Sequence, residues 1–157
     1  QIDIAVHSDP PLDQKGLGLI PLQRDPAVVC VGLDHAWANR KSIPMRDLAT
    51  QTLVLREKGT VTRDTLDRAF REAGIDLAPI MEINDWESVR ELVAAGLGVT
   101  VMSLPDTGFS KRIVRIPLRD PNLEISEYLV FHTERRRLRT VRAFLDLAEE
   151  MIAEPEK

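Results

Sequence analysis

The spacing of apolar positions switches between the two-residue period of a strand and the longer period of a helix, and those switches lay out the elements of the chain. Ile2, Ile4 and Val6 alternate with Asp3, Ala5 and His7, which reads as a strand ending at the turn formers Ser8-Asp9-Pro10-Pro11. Segments 17–22 and 27–31 read as two further strand segments punctuated by Asp25-Pro26, since proline favours a bend or an edge. Segment 43–48 predicts a short helix with Pro44 in its first turn, and segment 52–55 a strand. Leu66, Ala69, Phe70 and Ala73 then share one helical face that Gly74 closes, with Asp64–Arg68 and Asp67–Arg71 as surface pairs. Segment 79–83 is a strand that leads into the densest signal of the chain.

That signal runs from Asn84 to Met102. Asn84 or Asp85 can cap the first helical turn, and Glu87 stands three residues after Asn84, as in a capping box. Trp86, Val89, Leu92 and Val93 fall on one helical face, Gly96 supplies the left-handed stop, and segment 99–102 is a buried strand. Gly96-Leu97-Gly98 is no dinucleotide fingerprint, because it follows a helix and precedes a strand where a phosphate-cradling loop needs the reverse order. Beyond it come a turn at Ser103-Leu104-Pro105, strands at 113–116 and 125–131, a loop at 119–122, and a long helix with Leu138, Val141, Leu145, Ala148 and Ile152 on one stripe. Strands alternating with helices imply a parallel or mixed sheet covered by helices.

Composition narrows the class. The chain has 157 residues, 43% hydrophobic and 29% charged, as in an ordinary globular protein of one domain or two small lobes. It has neither an apolar run of the roughly 20 residues that span a bilayer nor a signal peptide at its start, so a cytoplasmic location without membrane contact is expected. A formal net charge of −4 argues against nonspecific nucleic-acid affinity. Arg135, Arg136, Arg137, Arg139 and Arg142 form a local basic run, which reads as a solvated face or as partners for nearby acids. Cys30, the only cysteine, lies in an apolar run and reads as a buried structural thiol. Gln1 in place of methionine suggests a processed chain or a fragment.

Candidate chemistry is sparse. His7, His35 and His132 share no metal-ligand spacing, no nucleophile elbow or Walker loop occurs, and the carboxylate pairs Glu149-Glu150 and Asp9-Asp13 sit in polar surroundings. A binding module is therefore favoured over an enzyme, and no cofactor is implied. The best candidate is Gly59-Thr60-Val61-Thr62-Arg63, where two hydroxyls stand at a helix start whose N–H groups and dipole favour an anion. Capping by Thr62 alone would account for one threonine and leaves Thr60 unexplained. Asn84 and Asp85 begin the other marked helix, and in an open α/β sheet such strand ends line the ligand crevice.

These pieces, in this order, resemble the effector-binding domain of LysR-type transcriptional regulators. The resemblance is carried by Ile2-Asp3-Ile4-Ala5-Val6, by Asp25-Pro26-Ala27-Val28-Val29-Cys30-Val31 with Asp34-His35-Ala36, and by Ile43-Pro44-Met45-Arg46-Asp47-Leu48. Thr60-Val61-Thr62-Arg63, Leu92-Val93-Ala94-Ala95-Gly96-Leu97-Gly98-Val99 and Arg142-Ala143-Phe144-Leu145 complete it, with Ala36 where the family usually has proline. It implies an α/β, two-lobed fold of the type II periplasmic-binding-protein kind, whose first lobe is N-terminally truncated here. Residues 1–30 would be partial lobe I, 31–112 lobe II, and 113–157 the return to lobe I with the C-terminal helix.

By family position, Thr60, Val61 and Thr62 are the second-lobe contact loop, Asn84 the contact before the next helix, and Ser8 the hinge-proximal contact. The implied function is sensing of a small anion or zwitterion between the lobes, the hydroxyls and helix start taking its acid group and Glu82 or Asp85 an amine. DNA would be reached only through an N-terminal domain outside this chain. Self-association as a homodimer or tetramer is expected, because the strand at Ile2–Val6 and the last helix need apolar partners. The alternatives are a transporter's solute-binding protein, which shares the architecture, and, behind it, an enzyme.

Overall fold

The computed structural model describes residues 2–8, 10, 15–77, 80–119 and 123–153. The Asp9-Asp13 carboxylate pair, Pro79 and most of the 119–122 loop lie outside the described residues. In chain order the elements are β1 (Ile4–Ser8), β2 (Leu17–Gly32), β3 (Ile43–Pro44), β4 (Leu53–Arg56), α1 (Val61–Glu72), β5 (Ile80–Ile83), α2 (Trp86–Ala94), β6 (Thr100–Ser103), β7 (Ile113–Arg119), β8 (Glu124–His132) and α3 (Arg139–Ala153), with short 3-10 turns at Met45–Thr50, Pro105–Thr107 and Thr133–Arg137. Contacts divide the chain into two compact units, one of Gln1–Arg24 with Ser126–Lys157 and one of Asp25–Ile125. The chain passes between them within β2 and again within β8.

In the 25–125 unit, β2 is antiparallel to both β6 and β7, β3 is parallel to β7, and β4 is parallel to β5. The sheet that holds β2, β3, β6 and β7 is thus mixed, and β4 with β5 forms a separate two-stranded one. Alternation along β2 sends Val29 and Val31 to one side with Leu53, Leu55, Leu66 and Phe70, and sends Val28 and Cys30 to the other with Val54, Val89, Val93 and Met102. Burial on both faces is why Ala27 to Val31 reads as an unbroken apolar run. Each such side chain taken from water contributes about 1.5–3 kcal/mol. α1 and α2 therefore lie over opposite faces of these strands, α1 packing Leu66, Ala69 and Phe70 into one core and α2 packing Val89 and Val93 into the other.

Two glycines do the work expected of the 96–98 segment. Gly96 adopts φ +76°, and the Leu97 N–H bonds the Leu92 carbonyl at 3.1 Å while the Gly96 N–H bonds that of Val93 at 3.0 Å, which closes α2 in a Schellman motif. At Gly98 a Cβ would stand 2.6 Å from the Thr52 carbonyl oxygen, so only glycine lets this segment reach the backbone before β4.

In the other unit β1 is antiparallel to β8, from Ile4 opposite Phe131 to Ser8 opposite Glu127. Leu129, Phe131, Val141 and Leu145 form its core.

Several sequence expectations shift. Pro26 does not split β2, and its ladder with β6 begins one residue later, at Ala27. Ile43-Pro44 is strand, and the helical turn starts after the proline, at Met45. Arg135–Arg137 belong to a 3-10 turn ahead of α3, and of the stripe expected on α3, Leu138 and Ile152 are exposed while Val141 and Leu145 are buried. The basic run pairs with acids at three positions, Arg135 with Asp3, Arg136 with Glu149 and Arg142 with Asp146.

Candidate functional site

The parallel pair β4 and β5 places two helix starts on one edge. Arg56, the last residue of β4, is in register with Ile83, the last of β5, and the Glu57 N–H bonds the Ile83 carbonyl at 3.1 Å. The loop 57–60 into α1 and the Asn84-Asp85 step into α2 therefore leave side by side from the strands' C-terminal ends, the edge where open α/β sheets take ligands.

The two starts are finished differently. Asp85 is the N-cap of α2, its Oδ1 accepting the Ser88 N–H at 2.7 Å, and that bond, with lesser help from the charge of Arg56, holds its carboxyl below the usual carboxylate range. At α1 the N-cap position is Thr60, not Thr62, and no side chain caps the first turn. Thr60 turns its hydroxyl back to donate to the Glu57 carbonyl at 2.9 Å, while Asp64 accepts the Gly59 N–H at 3.3 Å. Thr60 thus has a structural role after all: it shapes the loop. Thr62 is half-buried within the first turn, and its hydroxyl has no partner among the described residues. The first-turn N–H groups of α1 stay open, the condition under which a helix start attracts an anion.

Two arginines that the sequence reading passed over hold this edge. Arg63 is only 3% exposed; it donates from Nε to Asp67 at 2.9 Å and from Nη1 to the Arg56 carbonyl at 2.9 Å and to Glu82 at 3.1 Å. It pins the first turn of α1 to the ends of β4 and β5. The pairs expected on the surface of α1 are replaced by this one, since Asp64 serves the loop and Asp67 serves Arg63. Arg56 lies with its guanidinium 5.2 Å from the ring centre of Trp86, the first residue of α2. Its Nε is buried without an acceptor. The available signal was a charged residue closing an apolar strand just before the candidate loop.

Neither carboxylate proposed for an amine is free for one: Glu82 is paired with Arg63 and Asp85 caps α2. Val61 is half-buried at the head of α1, and Asn84 is exposed beside Asp85 with its side chain unbonded. Ser8 ends β1 in the other unit, opposite Glu127. Cys30 is fully buried, and burial pushes its thiol up to about 12, against a smaller opposing pull from Arg115.

A cavity of about 450 Å³ lies elsewhere in the 25–125 unit, between Gly32–Ala36 and the C-terminal turn Ala94–Gly96 of α2. Its helix carbonyls and Asp34 have the wrong sign for an acid, and its cation, Arg112, is already paired with Glu91 at 2.7 Å.

A family model described as the LysR substrate binding domain matches residues 1–153. The probable nitrogen assimilation transcriptional activator of Synechococcus elongatus is 30% identical over 154 residues, covering 95% of this chain and 50% of that protein. The DNA-binding transcriptional dual regulator OxyR of Escherichia coli is 37% identical over 83 residues, 53% of this chain and 27% of that protein. Half or less of the length of these relatives is therefore spanned. Among solved structures, the CcmR regulatory domain of Synechocystis PCC6803 in complex with 2-PG superposes with a TM-score of 0.84 at 22% identity, over 96% of this chain and 73% of that one.

Proposed function

The chain belongs to the LysR substrate-binding domain family, and from that premise we propose that it senses a small polar metabolite, an anion or zwitterion, for a cytoplasmic LysR-type transcriptional regulator. The observation that carries the proposal is the open first turn of α1 beside the capped first turn of α2 on a single strand edge. An acid group seated there receives the N–H groups of Val61, Thr62 and Arg63 and the Thr62 hydroxyl, with Asn84 alongside. Ser8 is the family-matched contact position in the other unit. The fold neighbour that holds 2-PG supports a small acid as a ligand that this fold accommodates.

An effector acts by binding one conformation of the regulator better than another, so the affinity difference at this site sets how far transcription can shift. DNA contacts are assigned to a part of the regulator outside these residues, in keeping with the net charge of −4 here. The relatives are transcriptional regulators, which weighs against a transporter component.

Thermal-shift screening of small acids tests the reading. Thr62→Val should weaken the response by about twofold to tenfold, the worth of one hydrogen bond, and Thr60→Ala should act through loop order with a smaller effect. An acid response identical in wild type and in the double variant would reject the site.

A further inference from the structure

We infer that Arg56 is the specificity-determining residue of this site and that it requires an oxyanion, a carboxylate or phosphate, on the ligand. The inference rests on the effector reading above and deepens it. Arg56 ends β4 one residue before the candidate loop, and strand alternation puts its side chain with Val54 on the α2 side, where it meets Trp86. The cation–π contact with the indole holds the guanidinium near Trp86, so less freedom is lost when it binds.

No acceptor among the described residues takes its guanidinium N–H groups, and of these only Nε is sealed from water. Asp85 is close enough to feel its charge yet forms no ion pair with it, being committed to the Ser88 N–H. Arg63, a few residues away, shows the contrast: its donors are satisfied by Asp67, Glu82 and a carbonyl. A half-buried cation with no counter-charge is costly to keep. At a ligand-facing edge the donors within reach are Nη1 and Nη2, and a planar or tetrahedral oxyanion matches that pair. A neutral oxygen accepts such an N–H but leaves the charge unpaired, and a cationic group is repelled.

The test uses the 157-residue chain labelled with 5-fluorotryptophan, whose two indoles, Trp37 and Trp86, give separate ¹⁹F resonances assigned through Trp86→Phe. Acetate, succinate, inorganic phosphate and 2-phosphoglycolate are the probes, with glycerol as the uncharged control. At least one acid should shift the Trp86 resonance saturably and leave Trp37 unmoved. Arg56→Lys should weaken that binding about tenfold and Arg56→Gln ten- to a hundredfold, as for a lost charge-assisted hydrogen bond, with circular dichroism confirming the fold of each variant. No Trp86 shift with any acid, a merely linear one, or an equal one in Arg56→Gln overturns the inference.

The two readings fail separately. An acid that stabilises wild type and Arg56→Gln alike against heat leaves the effector site standing and removes Arg56 from it. Arg56-dependent binding untouched by both Thr62→Val and Asn84→Ala would make Arg56 a separate anion site and overturn its role in specificity.

Discussion

At the scale of single residues, the candidate site depends on side chains whose partners lie far away in sequence. Thr60 and Thr62 were visible as hydroxyls at a helix start, yet which of them caps was not, because the answer depends on Asp64 reaching back to Gly59 and on Thr60 preferring the Glu57 carbonyl. Glu82 looked free until Arg63, from α1, met it across the strand ends. Cys30, by contrast, was legible from its apolar neighbours alone. Its raised pKa has a definite sign: the folded state favours the protonated thiol, so this stability is fully present below the ordinary thiol value of 9.0 and is lost as pH rises towards about 12. Across that window wild type should lose about 1.4 kcal/mol per pH unit more than Cys30→Ala in urea denaturation, and a thiol reagent at neutral pH should leave the native chain unmodified. Parallel pH profiles for the two proteins, or rapid native labelling, would contradict the burial argument.

At the scale of elements, the sequence was most informative where local geometry alone decides. Both ends of α2 and the stop of α1 at Gly74 were readable, because a cap and a left-handed glycine are short-range devices. Boundaries moved where a distant strand decides. Ile43-Pro44 is strand only because β7 pairs with it, and β2 runs through Pro26 into a ladder with β6 that begins at Ala27. The two glycines after α2 separate these kinds of constraint. Gly96→Ala forces an L-residue into φ +76° and should cost about 1–2 kcal/mol. Gly98→Ala forces a methyl group against the Thr52 carbonyl, where the Val99 N–H already bonds at 3.0 Å, and should cost more than Gly96→Ala. Thermal denaturation of the two variants checks the order; equal losses would mean that the 97–99 backbone yields more easily than its contacts imply.

At the scale of the whole molecule, exposed apolar surface is distributed unevenly. In the 25–125 unit the large exposed apolar residues, Leu33, Leu97, Leu104 and Phe109, each stand in a turn or bend and share no helix or strand face. In the other unit they concentrate on two elements: Val6 on β1 is 60% exposed, and on α3 Phe144, Leu147 and Met151 are 49%, 54% and 69% exposed. β1 and α3 also frame an open cavity of about 410 Å³ lined by Ile4, Val6, Leu129, Val141 and Phe144. This explains why the stripe on α3 holds only in its middle: a helix can be amphipathic throughout while its own unit covers Val141, Leu145 and, in part, Ala148. A contiguous apolar face of that kind is unfavourable in water, and the surface available to every chain at equal concentration is a second copy of itself. Sedimentation equilibrium should therefore show concentration-dependent self-association that Phe144→Asp together with Leu147→Lys weakens. Because both side chains are about half exposed, the double variant should keep its circular dichroism and its heat response to small acids, so loss of assembly can be read apart from loss of fold. A strictly monomeric wild-type chain at all concentrations would mean that this face is not covered by a second copy.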